Sequence, residues 1–312
     1  MKHQFLAATL GTLFVVTSAS AQTTSAFNAY GYGCQSCLKH NEDAQTNPAK
    51  TLRPQTLPNE YCYGFTAASA LTVHGFAMYT KAMAVPYTMG TGFYAEDPAA
   101  PGKPLETATV NGTMTADITE GWYVTQFPTP VSVANGANFW VSGLDSTNIL
   151  ASSILGGVPS PLTIYWRRVG VLWTPTGIVS NPGIVLICEG TPILGASNTP
   201  KIPSTDFSID VNNAPAISLC NMILGISNTA GPLGALPSDL GMIGFKGCTL
   251  WASNEFTIPG FTTTTGDYSW KIPVPNDPTL DGLQFYVQAY AASTMTGRIS
   301  FSNAGHCTAG TL

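Results

Sequence analysis

The stretch 268–291 limits the possible folds of this chain more than any other part of the sequence. A first run with strand character, 268–272, leads into a turn rich in Pro, Asn and Asp. A second run, 283–291, then alternates apolar and polar residues without a break. Strict alternation predicts β-strands with one buried face. The residues expected in a core are Tyr268, Trp270, Ile272, Leu283, Phe285, Val287 and Ala289.

The turn between these two strands has two interpretations. Asp277 is a good helix N-cap, Pro278 suits the first helical position and Gly282 suits the end, which predicts a one-turn helical connection. Alternatively, Asn276, Asp277 and Asp281 are the best candidates for a calcium site, because calcium takes oxygen ligands from loops. The capping interpretation is the stronger of the two, so no metal and no cofactor is expected.

Two sequence motifs resemble known families. Gly247-Cys-Thr-Leu250 and the later run Pro273-Val-Pro-Asn-Asp-Pro-Thr-Leu-Asp-Gly-Leu-Gln-Phe-Tyr-Val-Gln288 together resemble a C-terminal β module of secreted bacterial proteins, most of them uncharacterised. Residues 60–145 are similar to jelly-roll-like modules of bacterial surface and secreted proteins. The resemblances imply a fold and an exported location, but little chemistry. The second one rests on Gly92-Phe-Tyr-Ala-Glu96, Gly121-Trp-Tyr123, Pro130-Val-Ser-Val133 and Asn138-Phe-Trp-Val141.

The rest of the chain predicts an all-β fold with two β-sandwich domains of jelly-roll or Ig-like type in tandem after a signal peptide. Residues 59–190 consist of short alternating runs between Gly, Pro and Asn turns, which is typical of a sandwich. Gly75 falls where the alternation of its strand changes phase, which indicates a β-bulge. Residues 191–203 are predicted to be a linker and 204–312 a second sandwich. Residues 22–58 contain few apolar residues and are expected to be irregular.

The N-terminal residues predict export. Residues 1–21 have a basic start, a short apolar core and the ending Ala19-Ser-Ala21, which is the pattern of a secretory signal peptide. No later run approaches the ~18 apolar residues of a membrane-spanning helix, so we expect a secreted or cell-surface protein without a transmembrane segment. Charged residues make up 9% of the chain, against about 25% in an average domain. With a formal charge of −5 and no basic run, nucleic-acid binding is disfavoured.

The seven cysteines are expected to form disulfides, because an exported protein meets an oxidising environment. An odd number leaves at least one thiol unpaired within the monomer. Cys34 and Cys37 have the spacing of a redox motif, but no βαβ pattern surrounds them. We predict one bridge from this pair to Cys62, one between Cys220 and Cys248, and one between Cys188 and Cys307. The disulfide candidates are Cys34, Cys37, Cys62, Cys188, Cys220, Cys248 and Cys307.

The sequence does not supply a recognisable catalytic set, so we predict that the protein is not an enzyme. It has no G-x-S-x-G motif. His74 lies on the polar side of its strand and is predicted to face solvent. His306 stands beside Cys307, where a Cys–His pair is conceivable but a disulfide is the preferred interpretation. The acids, among them Asp117 and Glu120, are sparse for a glycosidase, which needs two carboxylates facing one another.

Strand alternation also sorts the aromatic residues by face. A row of Tyr and Gln lies opposite the predicted core face of 283–291, and Trp140 and Trp251 are expected to face outward on the same logic. Such a row suits a glycan, but a loop or the other domain would cover it equally well. The predicted ligand-binding residues are Trp140, Gln284, Tyr286, Gln288 and Tyr290.

These observations favour a secreted, non-catalytic, modular β protein for surface or matrix adhesion or carbohydrate binding. Its expected partners are polysaccharides or components of the cell surface or matrix. The alternative is a self-assembling structural subunit of a fibre or envelope layer, because natural sheets guard their edges with charges and this chain has few. A hydrolase on an unusual β scaffold is less favoured.

Overall fold

The computed structural model describes residues 22–34, 37–45, 50–54, 59–144, 149–154, 159–168, 171–176 and 181–312, and the predicted signal peptide lies outside them. These residues form almost nothing but antiparallel β structure, which confirms the predicted all-β sandwich class. Within the same ranges, no helix is long and apolar enough to cross a membrane.

The strands and the short 3₁₀ helices are numbered here in chain order. The helices are Glu42–Gln45, Leu240–Ile243 and Pro278–Leu280. The strands are β1 (Ala26–Tyr30), β2 (Leu38–His40), β3 (Lys50–Pro54), β4 (Asn59–Thr66), β5 (Leu71–Ala82), β6 (Tyr87–Ala95), β7 (Val110–Ala116), β8 (Gly121–Val133), β9 (Asn138–Leu144), β10 (Ile149–Ile154), β11 (Tyr165–Arg168), β12 (Thr174–Pro175), β13 (Ile184–Cys188), β14 (Ile193–Ser197), β15 (Ser208–Asn212), β16 (Leu219–Gly225), β17 (Ala230–Gly231), β18 (Gly234–Ala235), β19 (Ser238–Asp239), β20 (Thr249–Leu250), β21 (Phe256–Phe261), β22 (Tyr268–Lys271), β23 (Gln284–Ala292) and β24 (Ile299–Thr308).

The first sandwich consists of two antiparallel sheets that face each other. One sheet joins β7, β6, β9, β4, β11 and β12 in that order. The other joins β8, β5, β13 and β2, and β10 and β3 continue it beside the end of β5. Aromatic and aliphatic side chains from both sheets fill the core between them. Its buried phenylalanines are Phe65, Phe76, Phe93, Phe127 and Phe139.

Gly75 forms the bulge that the sequence predicts. The register of β5 against β8 shifts between Val73 and Gly75, so Val73, Phe76 and Met78 all reach the same core. A Cβ atom at residue 75 would lie 2.1 Å from the carbonyl oxygen of Thr125. Only glycine permits so close an approach of two backbones.

The second sandwich packs a three-stranded sheet, β14, β15 and β22, against β24, β23, β16 and β21. Trp270, Val287 and Ala289 are buried in its core, which confirms their predicted orientation. Leu283 is 48% exposed, contrary to prediction, because it precedes β23 and belongs to the turn that closes on Leu280.

Strand β1 joins the two sandwiches into one hydrogen-bonded sheet. It pairs along its length with β24 and, at Tyr30, with Tyr123 of β8. The described parts of 22–58 contain β1, β2 and β3 where irregular structure was expected, and the predicted linker 191–203 contains β14. Whether the sandwiches fold as separate domains stays a prediction. A further buried cluster draws on both of them and contains Tyr32, Ala44, Ala77, Tyr79, Trp122, Val185, Trp251 and Ala304.

Two disulfides among the described residues tie the N-terminal segment to the sandwiches. Cys34 is bonded to Cys248 and Cys37 to Cys188, so disulfides are present but every predicted pairing is wrong. The physical reason is topological: β2 runs beside β13 and brings Cys37 to Cys188. The remaining cysteines are buried free thiols that point into the packed interior. They are Cys62, Cys220 and Cys307.

Candidate binding cleft

A concave cleft of 510 Å³ opens over the part of the sheet where β24 lies between β1 and β23. The turn 117–121 between β7 and β8 forms one wall, and residues of 228–237 together with Trp251 form the other. The cleft therefore lies where the two sandwiches join. A wider and more open cavity of 940 Å³ borders the disulfide of Cys37, but small side chains and strand ends line most of it.

The floor of the cleft is built by strand pairing. His306 of β24 is paired with Asn28 of β1 on one side and with Tyr286 of β23 on the other, and directly paired residues present their side chains on the same face. The rings of Tyr286 and His306 stack at 4.8 Å with an interplanar angle of 15°. Tyr30 meets Tyr286 edge-on at 6.5 Å between ring centroids. The floor thus consists of packed aromatic rings, of which Tyr286 is 9% exposed, with the amides of Asn28 and Gln284 among the lining residues.

Tyr30 and Trp251 fix the far side of this floor. The Tyr30 hydroxyl donates a 2.9 Å hydrogen bond to the carbonyl of Trp251, and the indole Nε1 of Trp251 donates to the carbonyl of Tyr32 at 3.0 Å. Burial raises the pKa of Tyr30 far above its ordinary value, with further contributions from Tyr286 and Cys307, so the hydroxyl stays a donor. Trp251 was expected to face outward, but it is buried because the N-terminal segment covers it.

His306 carries a polar atom that the fold leaves unused. Its Nε2 is buried, and the described residues offer it no hydrogen-bond partner. Burial lowers the pKa of His306 below 6.5, although Asp117 acts in the opposite direction, so the imidazole is neutral at neutral pH. A buried polar atom without a partner costs about 1–3 kcal/mol.

The neighbour of His306 does not share its environment. Successive residues of a strand face opposite sides, and Cys307 is buried in the second core. The predicted disulfide of Cys307 is wrong, since its thiol is free, and the two side chains do not form a Cys–His pair.

The wall at 117–121 contributes acidic groups. Asp117 follows β7 and accepts a 2.6 Å hydrogen bond at Oδ1 from the backbone N–H of Ile118. The Tyr123 hydroxyl donates to the carbonyl of Thr119 at 2.5 Å, which anchors the same turn. Glu120 also lines the cleft, whereas no Lys or Arg is among its described lining residues.

Of the five predicted ligand-binding residues, the structure brings Gln284 and Tyr286 into the cleft. Gln288 is fully buried instead. Its Oε1 accepts from the backbone N–H of Trp251 at 3.0 Å and its Nε2 donates to the carbonyl of Thr249 at 2.9 Å. Gln288 therefore holds the segment 249–251 against the sheet, and its side chain is not accessible to a ligand.

Tyr290 and Trp140 also lie outside the cleft. Tyr290 is half-buried and packs on Phe301 at 5.3 Å between ring centroids. Trp140 is fully buried, and its Nε1 donates to the carbonyl of Thr163 at 3.1 Å. The prediction of an outward Trp140 is wrong, because the segment leading to β11 covers that face of the sheet.

The residues considered for calcium have structural roles. Asp277 caps the 3₁₀ helix Pro278–Leu280 and accepts from the backbone N–H of Thr279 at 2.9 Å, which lowers the pKa of Asp277. Asp281 accepts from the backbone N–H of Thr311 at 3.3 Å. Together with Gly282 at φ +81°, these contacts confirm the capping interpretation. Asn276 is exposed, and within the described ranges no three His, Cys, Asp or Glu are grouped to hold a metal.

Sequence reasoning did not assign Asn28, Tyr30, Asp117 or His306 to a site. One usable signal was the alternation in β1: Phe27 packs on the second core, while Asn28 and Tyr30 line the cleft. The sequence around Asp117 contains no signal for a site, because Asp117 reaches the cleft only through a strand pairing between distant segments.

Comparison with models of known protein families finds no match to this chain, and comparison with curated proteins finds no similar protein. The fold and the site define an all-β sandwich protein with an aromatic-floored cleft, and the function is argued from that geometry.

Proposed function

We propose that this chain is a secreted, non-catalytic carbohydrate-binding protein that acts in adhesion to polysaccharides of a surface or matrix. The observation that carries the proposal is the convergence of Tyr30 and Tyr286 with the amides of Asn28 and Gln284 in one concave cleft. A sugar ring presents an apolar C–H face and a rim of hydroxyls. Flat aromatic rings beside planar amides match both, and sites of this kind combine apolar walls with a few placed polar groups.

Secretion is supported by the covalent chemistry of the chain. Disulfides persist in oxidising compartments and are rare in the cytosol, and two of them join the N-terminal segment to the sandwiches. The sequence pattern of residues 1–21 agrees with this location.

The non-catalytic part of the proposal rests on the surroundings of His306. A nucleophilic mechanism needs a base held within hydrogen-bond reach of a Ser, Thr or Cys. In the described part of the chain, Nε2 of His306 meets no such group, and Cys307 faces the opposite side of the sheet.

A glycan array followed by titration calorimetry tests the proposal. We expect binding to at least one polysaccharide or oligosaccharide, with an affinity about tenfold lower in Tyr286→Ala, because central aromatic anchors carry about 1.4 kcal/mol or more. Tyr290→Ala is the matched control, since Tyr290 lies on the same strand outside the cleft, and its affinity should be unchanged. Circular dichroism verifies that both variants are folded. No binding to any glycan, or equal losses in both variants, would reject the proposal.

The alternative, a self-assembling structural subunit, is favoured by strand β21. It pairs with β16, and its other edge is unpaired among the described strands. Phe256 and Phe261 are 65% and 56% exposed, and residues 256–266 carry no charge, whereas natural edges are usually protected by charges.

Size-exclusion chromatography over a range of concentrations tests this alternative. A structural subunit should elute earlier as concentration rises, and Thr257→Lys should restore the monomer because it places a charge on the open edge. Lysine at Thr265, beyond the strand, is the control and should leave assembly intact. A monomer at every concentration would exclude the alternative.

A further inference from the structure

The charges around the cleft indicate which sugars it selects, an inference that rests on the proposed carbohydrate binding. We propose that the cleft prefers glycans with free amino groups, and that the carboxylate of Asp117 binds the sugar ammonium. The ligand class is thus an oligomer or polymer of amino sugars that are not acetylated.

The balance of charge in the cleft carries this inference. Asp117 and Glu120 line the cleft, and no described lining residue is a Lys or Arg that would neutralise them. His306 does not supply a positive charge at neutral pH, because burial lowers its pKa. The cleft is therefore electronegative, and such a cleft attracts cations and repels polyanions. Because polymers of uronic acids are polyanions, we expect them not to bind in this cleft.

The position of Asp117 suits recognition of an ammonium group. The carboxylate is half-buried, and the hydrogen bond from Ile118 to Oδ1 holds it in place. A partly buried charge is screened less by salt than an exposed one. It is also close enough to His306 to influence the pKa of that residue. A bound amino sugar would therefore contact the ring floor and the carboxylate at the same time.

A loss of binding in an Asp117 variant could also arise because Asp117 stabilises its turn. The chain contains another turn residue, Asp97, that serves as a control for this structural effect. Asp97 also stabilises a turn, where its Oδ1 accepts from the backbone N–H of Ala99 at 2.9 Å. Asp97 does not line the cleft. Asp97→Asn is thus a matched control for Asp117→Asn, since each variant removes a charge from a turn and keeps an oxygen acceptor.

The test measures binding of a glucosamine hexamer and its N-acetylated counterpart by titration calorimetry with the full mature chain at about pH 6, where sugar amines are protonated. We expect the free amine to bind at least about tenfold more tightly, as for a charge-assisted hydrogen bond. This preference should fall several-fold in Asp117→Asn, in which Glu120 is the remaining carboxylate among the described lining residues, and should be unchanged in Asp97→Asn. Raising the salt concentration should weaken the glucosamine oligomer more than the acetylated one.

Two other results overturn the inference in distinguishable ways. Equal affinity for the two hexamers, or a preference that is as large in Asp117→Asn as in the wild type, rejects selection by Asp117 but leaves carbohydrate binding intact. Failure of every glycan on the array to bind rejects both the inference and the proposed function.

Discussion

Replacing Arg167 by Met is expected to lower the free energy of unfolding by about 3–5 kcal/mol, because it leaves a buried carboxylate without its cation. The carboxylate belongs to Glu60, whose side chain is 1% exposed, and Arg167 reaches it with Nη2 at 2.8 Å. The Arg167 Nε donates to the same oxygen, Oε2, at 2.8 Å. Two donors of one guanidinium therefore converge on a single carboxylate oxygen, and both hydrogen bonds are charge-assisted.

The surroundings of Glu60 make this loss large. Its other oxygen, Oε1, accepts hydrogen bonds from the hydroxyls of Tyr94 at 2.5 Å and Ser142 at 2.6 Å. Burial and then the Glu60 carboxylate raise the pKa of Tyr94 far above its ordinary value, so the phenol remains a donor. The guanidinium also lies 4.2 Å from the ring centroid of Trp173. Two neutral donors would remain after the substitution, but no positive charge.

Urea denaturation of the variant measures the effect, with the slope of the transition compared to verify a two-state process. Arg298→Met is the matched control: Arg298 is exposed, so the same chemical change should alter stability by no more than about 0.5 kcal/mol. Adding Glu60→Gln to Arg167→Met should recover part of the loss, because the uncompensated charge is then gone. A loss below about 1 kcal/mol in Arg167→Met would show that the pair behaves like a surface ion pair.

Local sequence rules predicted the parts of this fold that depend on local physics. The alternation in β23 places Val287 and Ala289 in the core, as expected from a period of two residues. The cap at Asp277 and the bulge at Gly75 were also predicted, because each depends on backbone conformations that few residue types satisfy.

The alternation of apolar and polar residues did not predict what covers the second face of a strand. The pattern predicts which side chains share a face, but their exposure depends on whether another segment packs against that face. Trp140 and Gln288 lie opposite core residues, as predicted, yet both are fully buried. Residues 159–165 cover the first, and residues 249–251 cover the second. Only the tertiary arrangement decides between a binding surface and a second layer of core.

The cleft was beyond sequence reasoning for a related reason. Its residues come from distant segments of the chain, among them those of Asn28, Asp117, Gln284 and His306. They meet because β1 pairs with both β24 and β8, and strand pairings between remote segments have no local sequence signal. Strand pairings also decide which cysteines meet, as β2 and β13 do for Cys37 and Cys188, so the disulfide pairing could not be predicted from the sequence.

Removal of the Cys34–Cys248 disulfide is expected to lower the free energy of unfolding by about 4 kcal/mol in the chain-entropy model. Because the Cys37–Cys188 bond stays intact in the variant, the loop that the removed bond closes consists of the segments 34–37 and 188–248, roughly 60 residues. Cys34→Ala combined with Cys248→Ala suits the site, because both residues are buried. Cys62→Ala, which removes a buried thiol but no cross-link, should cost only about 1–2 kcal/mol.

Alkylation of the wild-type protein tests the pairing itself. Burial raises the pKa of Cys220 to about 12 and that of Cys62 well above its ordinary value, and only a thiolate is alkylated rapidly. The folded protein should therefore remain unlabelled. Denaturation without reductant should expose Cys62, Cys220 and Cys307 alone, and reduction should make the other four cysteines reactive. Labelling of Cys34 or Cys248 before reduction would contradict the pairing, and so would a loss of stability in the double variant that is the same with and without reductant.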